Sequence, residues 1–288
     1  MLYLRLLRLG FAFSFILMEL CGCSQKNNTS PEIPESTYAP NPSPKHELKL
    51  IQKFTGFSSP TAIAFDSEDN MYVSNWSNGT VSKIDSAGNV TIFVNDLGSP
   101  AGLAFDSEDN LYIADYSDDV IYRCPPKGTK EIYAQDLHTP TGISFNDNGE
   151  LLVANRGSDE IIKIDKAGNI VSISNEMNTP VGVIEADDTL YTTNYGGNII
   201  TITSDRKTNI FSTEFGRPGV GIDVASNGQI YAADNGDGCV RILNSDGSTK
   251  IIVEDIEGCV GVKVHSNILY ISSWNEGAVY GYTLPTIN

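Results

Sequence analysis

The stretch SPAGLAFDSEDNLYIADYSDDVIYRCPPKGTKEIYAQDLH, residues 99–138, sets a pattern that the chain repeats on both sides of it. Four short, largely apolar segments lie within it: PAGLAF, NLYIAD, VIYRC and KEIYAQ. Clusters rich in aspartate, serine, proline and glycine, which favour turns, separate these segments. The stretch therefore predicts four short β-strands joined by tight turns.

The repeat continues through most of the chain. The opening strand of each unit holds a small residue, which recurs at intervals of 40, 40, 40, 39 and 40 residues: Ala62, Gly102, Gly142, Gly182, Gly221 and Gly261. An independent marker in the second strand, a tyrosine or once a leucine, keeps the same register: Tyr72, Tyr112, Leu152, Tyr191, Tyr231 and Tyr270. Four-stranded repeats of about 40 residues are typical of β-propeller blades. We predict an all-β, six-bladed β-propeller with four-stranded blades.

The ends of the repeat indicate how the ring closes. Five units carry a fourth, outermost strand, whereas the sixth stops one strand short, after AVYGYTL at residues 278–284. The segment LKLIQKF, residues 48–54, precedes TGFSSP in the same way that VTIFV, residues 90–94, precedes NDLGSP. We therefore predict that this N-terminal strand joins the C-terminal blade, so that residues 47–288 form one six-bladed domain.

Residues 1–22 have the features of a bacterial lipoprotein signal peptide. Two arginines precede an apolar run, residues 11–18, that is too short to span a bilayer. The string LCGC, residues 20–23, resembles the lipobox, whose cysteine becomes the lipid-modified first residue of the mature protein, and that residue here is Cys23. An ordinary cleaved signal peptide is the alternative.

Residues 23–46 are rich in proline, serine and asparagine and poor in apolar residues, so they cannot bury a core. They are expected to form a flexible tether between the lipid anchor and the propeller. Ser24 follows Cys23 directly and resembles the residue at that place in lipoproteins sorted to the outer membrane. We expect a monomeric protein of the bacterial cell envelope, lipid-anchored in the outer membrane and touching the membrane only through its anchor.

The formal net charge is −17, from 36 acidic and 19 basic residues. An acidic surface repels the phosphate backbone of nucleic acids and anionic lipid headgroups. The composition therefore excludes nucleic acid as a partner.

The first two residues after the second strand of each unit are of interest, because the loops at this end of every blade share one face of a propeller. The first position holds a small polar residue in every unit: Asn75, Asp115, Asn155, Asn194, Asp234 and Ser273. Asparagine and aspartate at such places commonly bond nearby backbone amides. These residues therefore either cap the strand ends or belong to a ligand-binding face.

The next position contains both tryptophans of the chain: Trp76, Tyr116, Arg156, Tyr195, Asn235 and Trp274. Because the last and first blades are neighbours in a closed ring, Trp274, Trp76 and Tyr116 should form a contiguous aromatic arc, with Arg156 beside it. Exposed aromatics with an arginine are typical of interaction surfaces and also suit stacking on sugars or peptides. We expect this face to bind a protein, peptide or glycan. The alternative is that the rings lie flat and seal the blades.

Charged and sulfur-containing residues in blades 5 and 6 predict two further contacts. Asp223 and Lys263 replace a small residue of the inner strands, and because an unpaired charge there would be costly, we expect an ion pair beside the channel. Cys239 and Cys259 lie near one face in adjacent blades and are a candidate disulfide, although their offset could exceed the ~7 Å limit between Cα atoms. Cys124 is expected to be a free, packed thiol.

Strings such as PAGLAFDSEDNLYIAD, residues 100–115, and PTGISFNDNGELLVAN, residues 140–155, resemble the NHL-repeat propellers. They are equally similar to the gluconolactonase and senescence-marker-protein group and to virginiamycin B lyase. The resemblance covers residues 47–284. It implies a six-bladed propeller but no particular activity, because propellers of one shape include hydrolases, lyases, sensors and scaffolds.

The two enzyme resemblances each imply a metal site. Gluconolactonase-like enzymes hold a divalent cation through acidic or amide residues just before the glycine of certain inner strands. The matching positions here offer no carboxylate or carboxamide oxygen: Thr61, Ala101, Thr141, Val181, Val220 and Val260. Virginiamycin B lyase relies on histidine chemistry near a metal, and the three histidines here, His46, His138 and His265, cannot be assigned to one site.

We therefore expect a non-enzymatic binding module with no metal and no cofactor. No set of nucleophile, base and orienting acid can be assembled from the sequence. The alternative is a divalent-metal-dependent hydrolase or lyase whose site is rebuilt from Asp115, Asp234 or nearby carboxylates.

Overall fold

The computed structural model describes residues 48–126 and 129–285, which form 24 β-strands and two short 3₁₀ helices. The predicted signal peptide, Cys23 and the tether lie outside these residues. No helix within the described ranges is long and apolar enough to cross a membrane. The strands form six antiparallel four-stranded sheets, as the repeat predicts.

The first three blades follow the chain from their innermost to their outermost strand. Blade 1 contains β2 (Pro60–Phe65), β3 (Met71–Asn75), β4 (Thr80–Ile84) and β5 (Val90–Val94). Blade 2 contains β6 (Pro100–Phe105), β7 (Leu111–Asp115), β8 (Val120–Cys124) and β9 (Glu131–Ala134). Blade 3 contains β10 (Pro140–Phe145), β11 (Leu151–Asn155), β12 (Glu160–Ile164) and β13 (Ile170–Ser174). The 3₁₀ helices follow the second strands of blades 1 and 3: Trp76–Asn78 and Arg156–Ser158.

The last three blades repeat this order, except that the final one borrows a strand. Blade 4 contains β14 (Pro180–Ala186), β15 (Thr189–Asn194), β16 (Asn198–Ile202) and β17 (Thr208–Ser212). Blade 5 contains β18 (Pro218–Val224), β19 (Ile230–Asp234), β20 (Cys239–Leu243) and β21 (Thr249–Val253). Blade 6 contains β22 (Cys259–His265), β23 (Ile268–Ser273), β24 (Ala278–Thr283) and β1 (Lys49–Thr55).

The borrowed strand closes the ring. β1 pairs antiparallel with β24, from Lys49 opposite Thr283 to Thr55 opposite Ala278. The predicted joining of the N-terminal strand to the C-terminal blade is therefore confirmed. Both ends of the domain lie in one sheet, so equivalent loops of all six blades meet around a common axis.

The inner strands pack closely around the channel. A Cβ atom added to Gly102 would lie 2.2 Å from the carbonyl oxygen of Thr141 in the next blade. A Cβ atom on Gly261 would lie 2.0 Å from the carbonyl oxygen of Thr61, across the closure between blades 6 and 1. Only glycine allows strand backbones to approach so closely, which explains why a small residue recurs in the opening strands.

The recurring tyrosine is explained by packing between blades. The ring of Tyr72 makes edge contacts with Phe93 of its own blade, at 5.0 Å between centroids, and with Phe105 of the next blade, at 4.9 Å. Its hydroxyl donates a hydrogen bond to Asp66 at 3.0 Å. Tyr112 makes the equivalent contacts one blade further on. The tyrosine thus fills the wedge between neighbouring sheets while its polar end stays satisfied.

The predicted ion pair of the inner strands is present. The Nζ atom of Lys263 lies 3.0 Å from Oδ1 of Asp223, beside the channel. Asp223 also accepts a hydrogen bond from the backbone amide of Val264 at 2.7 Å. Both charges are therefore compensated, and the pair serves to link blades 5 and 6.

Candidate functional site

A cavity of about 330 Å³ opens on the face formed by the loops that follow the second strands. Its wall contains one residue from every blade, and we call these six the cavity ring: Trp76, Tyr116, Arg156, Tyr195, Asn235 and Trp274. The floor is formed by inner-strand residues, among them Thr61, Val181 and Val220. The structure thus brings all six residues of this repeat position together around one cavity.

Three rings of the cavity ring form a contiguous arc across the junction of the last and first blades. The ring centroids of Trp274 and Trp76 lie 5.4 Å apart, with 43° between the ring planes. Those of Trp76 and Tyr116 lie 4.9 Å apart, with 50° between the planes. The predicted arc is confirmed. Each of the three side chains is only partly buried, so the rings support one another and still present surface to the cavity.

Arg156 continues the arc by lying between two tyrosines. Its Cζ atom is 5.6 Å from the ring centroid of Tyr116 and 5.1 Å from that of Tyr195. Its Nη1 atom donates a hydrogen bond to the hydroxyl of Tyr116 at 3.0 Å. Attraction between a guanidinium and aromatic faces holds the charge in place.

Arg217 extends this chain of contacts to the fifth blade, and the sequence analysis did not anticipate it. Its Cζ atom lies 5.2 Å from the ring centroid of Tyr195, and its Nη2 atom donates to Oδ1 of Asn235 at 3.1 Å. The residue precedes the inner strand, at a place where the first four units have a serine or threonine: Ser59, Ser99, Thr139 and Thr179. That departure from the repeat is the signal that could have identified Arg217.

The residues just before the cavity ring lie beneath the face, where they are buried, and we call them the buried polar ring: Asn75, Asp115, Asn155, Asn194, Asp234 and Ser273. The carboxylate of Asp115 accepts hydrogen bonds from the backbone amides of Gly98 and Ser99, both at 2.8 Å. The side-chain oxygen of Asn155 accepts one from the amide of His138 at 2.8 Å. Each of these amides belongs to the loop that connects the preceding blade.

The buried polar ring therefore holds the connecting loops, which is the capping role that the sequence analysis gives as one of two alternatives. Asn75 and Asn194 bond the amides of Ser58 and Asn178 in the same way, at 3.1 and 3.3 Å. Ser273 instead donates to a loop carbonyl oxygen. No member of this ring lines the cavity, because the alternation of a strand directs neighbouring residues to different surroundings.

Asp234 belongs to the buried polar ring and also forms an ion pair with an arginine. Its carboxylate accepts hydrogen bonds from the amides of Gly216 and Arg217, at 3.0 and 2.9 Å, and from Nε of Arg241 at 2.9 Å. Burial alone would raise the pKa of this carboxyl, but the two amides and the guanidinium outweigh it and lower the pKa below its ordinary value. Asp234 is therefore charged at neutral pH.

Asp234, Asp237 and Cys239 are the one group in the described part of the chain whose spacing could suit a metal ion. Arg241 donates to both carboxylates, at 2.9 Å to Asp234 and 2.5 Å to Asp237, and so occupies the place that a cation would take. Burial raises the pKa of the Cys239 thiol to about 12. The donor set does not fit a divalent cation.

The inner-strand positions that correspond to lactonase ligands also fail to fit a metal. Five of the six line the cavity, where the side chains of Val181, Val220 and Val260 offer no ligand atom. The Thr141 hydroxyl donates to the carbonyl oxygen of Ala154 at 3.1 Å. The carboxylate of Asp115, proposed for a rebuilt site, is fully buried and bonded to backbone amides as described above. Neither Asp115 nor Asp234 lines the cavity, and the carboxylate oxygens of both accept hydrogen bonds from backbone amides.

The cysteines of the propeller are free thiols. The Sγ atom of Cys259 donates to the carbonyl oxygen of Cys239 at 3.2 Å, and no disulfide joins them. The candidate disulfide is therefore corrected: the thiol contacts the backbone of the neighbouring blade. Cys124 is a buried free thiol, as predicted, and burial raises its pKa to about 11.

The two described histidines, His138 and His265, lie in separate parts of the propeller. His265 bonds Asp69 at 2.8 Å and stacks on Phe65, with 4.0 Å between the ring centroids, whereas His138 is exposed in a loop between blades. His46 lies outside the described residues. The lyase-like arrangement of histidines near a metal is therefore not formed by His138 and His265.

The fold and the site together define a six-bladed β-propeller with an aromatic-lined cavity on its loop face. The chain is similar to a gluconolactonase of Xanthomonas campestris (TM-score 0.72, 14% identity, covering 81% of this chain and 89% of that one). It is similar to virginiamycin B lyase of Staphylococcus aureus (0.65, 14%, covering 83% and 100%). It is also similar to a chain of a nidogen/laminin complex (0.65, 20%, covering 73% and 92%). At these identities the likeness shows the fold alone. No protein-family model matches the sequence, and no curated protein does.

Proposed function

We propose that this protein is a binding module that captures a protein, peptide or glycan through the cavity ring. One observation carries the proposal: the six residues that occupy one repeat position, including both tryptophans of the chain, converge on a single cavity. A structural repeat alone would not require large aromatic residues there. Stacked aromatics beside an arginine, open on one side, are the composition of binding hot spots.

The chemistry of the lining supports binding over catalysis. Among the described residues that line the cavity, there is no carboxylate, histidine, cysteine or lysine that could act as a base or nucleophile. The polar side-chain groups that line it are hydroxyls, indole N–H groups, amides and one guanidinium. Such groups orient a ligand through hydrogen bonds.

The setting of this module is also a proposal. Lipidation of Cys23 would anchor the protein in the bacterial outer membrane, and residues 23–46 would let the monomeric propeller reach a ligand away from the bilayer. Labelling with a lipid precursor tests the anchor. Cys23→Ala should abolish incorporation of the label, whereas Cys124→Ala should retain it.

Ligand binding in the cavity can be followed by tryptophan fluorescence, because both tryptophans of the chain line it. Titration of the protein with a panel of glycans and peptides should change the tryptophan fluorescence with the members that bind. A Trp76→Ala or Trp274→Ala variant, followed by calorimetry, should weaken binding by about 2 kcal/mol or more, as expected for an interface hot spot.

The control variant Tyr133→Ala removes a half-buried aromatic outside the cavity and should bind as the wild type does. If a ligand of the protein binds equally well to the wild type and to the variant lacking both tryptophans, the cavity ring is not its site and the proposal is wrong. Unfolding of the tryptophan variants would instead show that the arc is needed for packing.

A further inference from the structure

The cavity has the opposite charge to the rest of the protein. The chain carries 36 acidic and 19 basic residues, yet the charged side chain that lines the cavity is the guanidinium of Arg156. Arg217 lies next to it, on the far side of Tyr195. Arg156 takes a repeat position that holds Trp, Tyr or Asn in the other blades, and Arg217 one that holds serine or threonine in the first four. A cavity of this kind attracts anions in spite of the net charge of −17.

Neither guanidinium is paired with a carboxylate of the residues that the structure describes. Within residues 48–126 and 129–285, no carboxylate lies within 4.0 Å of Arg156 or Arg217, whereas Arg123 and Arg241 are paired with carboxylates. The Nε atom of Arg156 is buried and has no hydrogen-bond partner. Its one side-chain hydrogen bond in the described region goes to a neutral hydroxyl, that of Tyr116. The charge of Arg156 thus remains available for an anionic ligand.

The size and lining of the cavity limit what the anion can be attached to. A volume of about 330 Å³ is at the small end of ligand sites, which span about 300–1,000 Å³, and fits a ring or two. The tilted faces of Trp76 and Trp274 suit the flat or apolar face of such a ring. The amides of Asn235 and Asn275 line the same cavity and can bond hydroxyl groups around it.

We infer that the ligand group bound in the cavity is a carboxylate carried on a ring, with the ring on the tryptophans and the carboxylate on Arg156. This inference rests on the proposed binding function and names its ligand class. Two sources have this chemistry: the terminal hexuronic acid of an acidic glycan, and a free aromatic carboxylate. The planar fork of an arginine matches the two oxygens of a carboxylate.

The test compares ring compounds that differ in their charge, using the tryptophan fluorescence of the full chain. Glucuronate is paired with glucose, and phenylacetate with 2-phenylethanol. Each carboxylate that binds should do so about tenfold or more tightly than its neutral partner, because a hydrogen bond to a charged group is lost in the neutral compound. Arg156→Gln should remove that preference. Arg206→Gln, which changes an exposed arginine in a β16–β17 turn away from the cavity, should leave it unchanged.

The outcomes separate the two sources and the two proposals. A preference for glucuronate assigns the acidic glycan, and a preference for phenylacetate the aromatic acid. If each neutral compound binds as well as its carboxylate, and binding is lost in Trp76→Ala, the inference is wrong while the binding function stands. If no carboxylate changes the fluorescence, the inference is also wrong.

Quenching by small ions gives a second measurement that needs no ligand. Relative to its quenching of free N-acetyltryptophanamide, iodide should quench the two tryptophans more strongly than caesium does, although the net charge of −17 favours the cation elsewhere on the surface. Arg156→Gln should lower the ratio of iodide to caesium quenching, whereas Arg206→Gln should not. Stronger quenching by caesium in the wild type would overturn the assignment of an anion site.

Discussion

The buried polar ring and the cavity ring are one residue apart in every blade, and their surroundings are opposite. Asp234 is fully buried and bonded to two backbone amides and a guanidinium, whereas Asn235, the next residue, faces the cavity. The comparison shows that a polar residue at a strand end is not by itself a binding residue. The role of such a residue depends on whether its side-chain oxygens already accept hydrogen bonds from loop amides.

The largest effect expected from this difference is on folding. Asp234→Ala leaves the amides of Gly216 and Arg217 and the guanidinium of Arg241 without their acceptor. The free energy of unfolding should fall by about 3–5 kcal/mol, as expected when one partner of a buried ion pair is removed. Urea unfolding followed by circular dichroism measures it. Asp237→Ala removes the exposed partner of Arg241 and should cost under about 1 kcal/mol, and equal losses in both variants would contradict the comparison.

Protonation of Asp234 in acid should also lower the free energy of unfolding. The loss should be smaller than in Asp234→Ala, because the protonated side chain stays in place. The pKa of Asp234 is lower in the folded protein than its ordinary value of 3.8. The unfolded chain therefore takes up the proton first, so this stabilisation is complete above about pH 5 and is lost as the pH falls through 3.8 towards the folded pKa.

Urea midpoints measured from pH 6 down to pH 3 check this prediction. The fall in stability should be shallower in Asp234→Ala than in the wild type, because the variant has lost one carboxylate whose pKa folding lowers. Trp274→Ala changes the cavity ring and removes no titrating group. Its stability should therefore fall with pH as steeply as that of the wild type. Parallel curves for the wild type and Asp234→Ala would show that Asp234 does not contribute to the acid sensitivity.

A much smaller effect on folding than that of Asp234→Ala is expected for the cavity ring. Trp274→Ala removes the contact with Trp76, and the loss of an aromatic pair costs about 1 kcal/mol. For a domain of this size such a loss lowers Tm by about 2–4 °C. Differential scanning calorimetry measures it. A loss as large as that of Asp234→Ala would place Trp274 in the scaffold instead of the binding surface.

Sequence reasoning identified the cavity ring because the six positions are equivalent by repeat. Once a ring closes, equivalent residues must meet near its axis, so Trp76, Tyr116 and Trp274 could be placed together without coordinates. It did not find Arg217, which reaches the same surface from the loop before an inner strand. The aromatic partner of Arg217, Tyr195, lies in the preceding blade, and the sequence does not show that the two side chains meet.

The period of about 40 residues and the missing last strand determined the number of blades, the closure by β1 and the face on which the loops meet. Those features follow from spacing along the chain, because strands and turns are local. Tertiary structure alone decided that Asp234 pairs with Arg241, that Cys239 and Cys259 stay thiols and that Arg156 bonds a tyrosine hydroxyl. These outcomes depend on distances of a few ångströms between side chains and on burial, which sequence spacing does not specify.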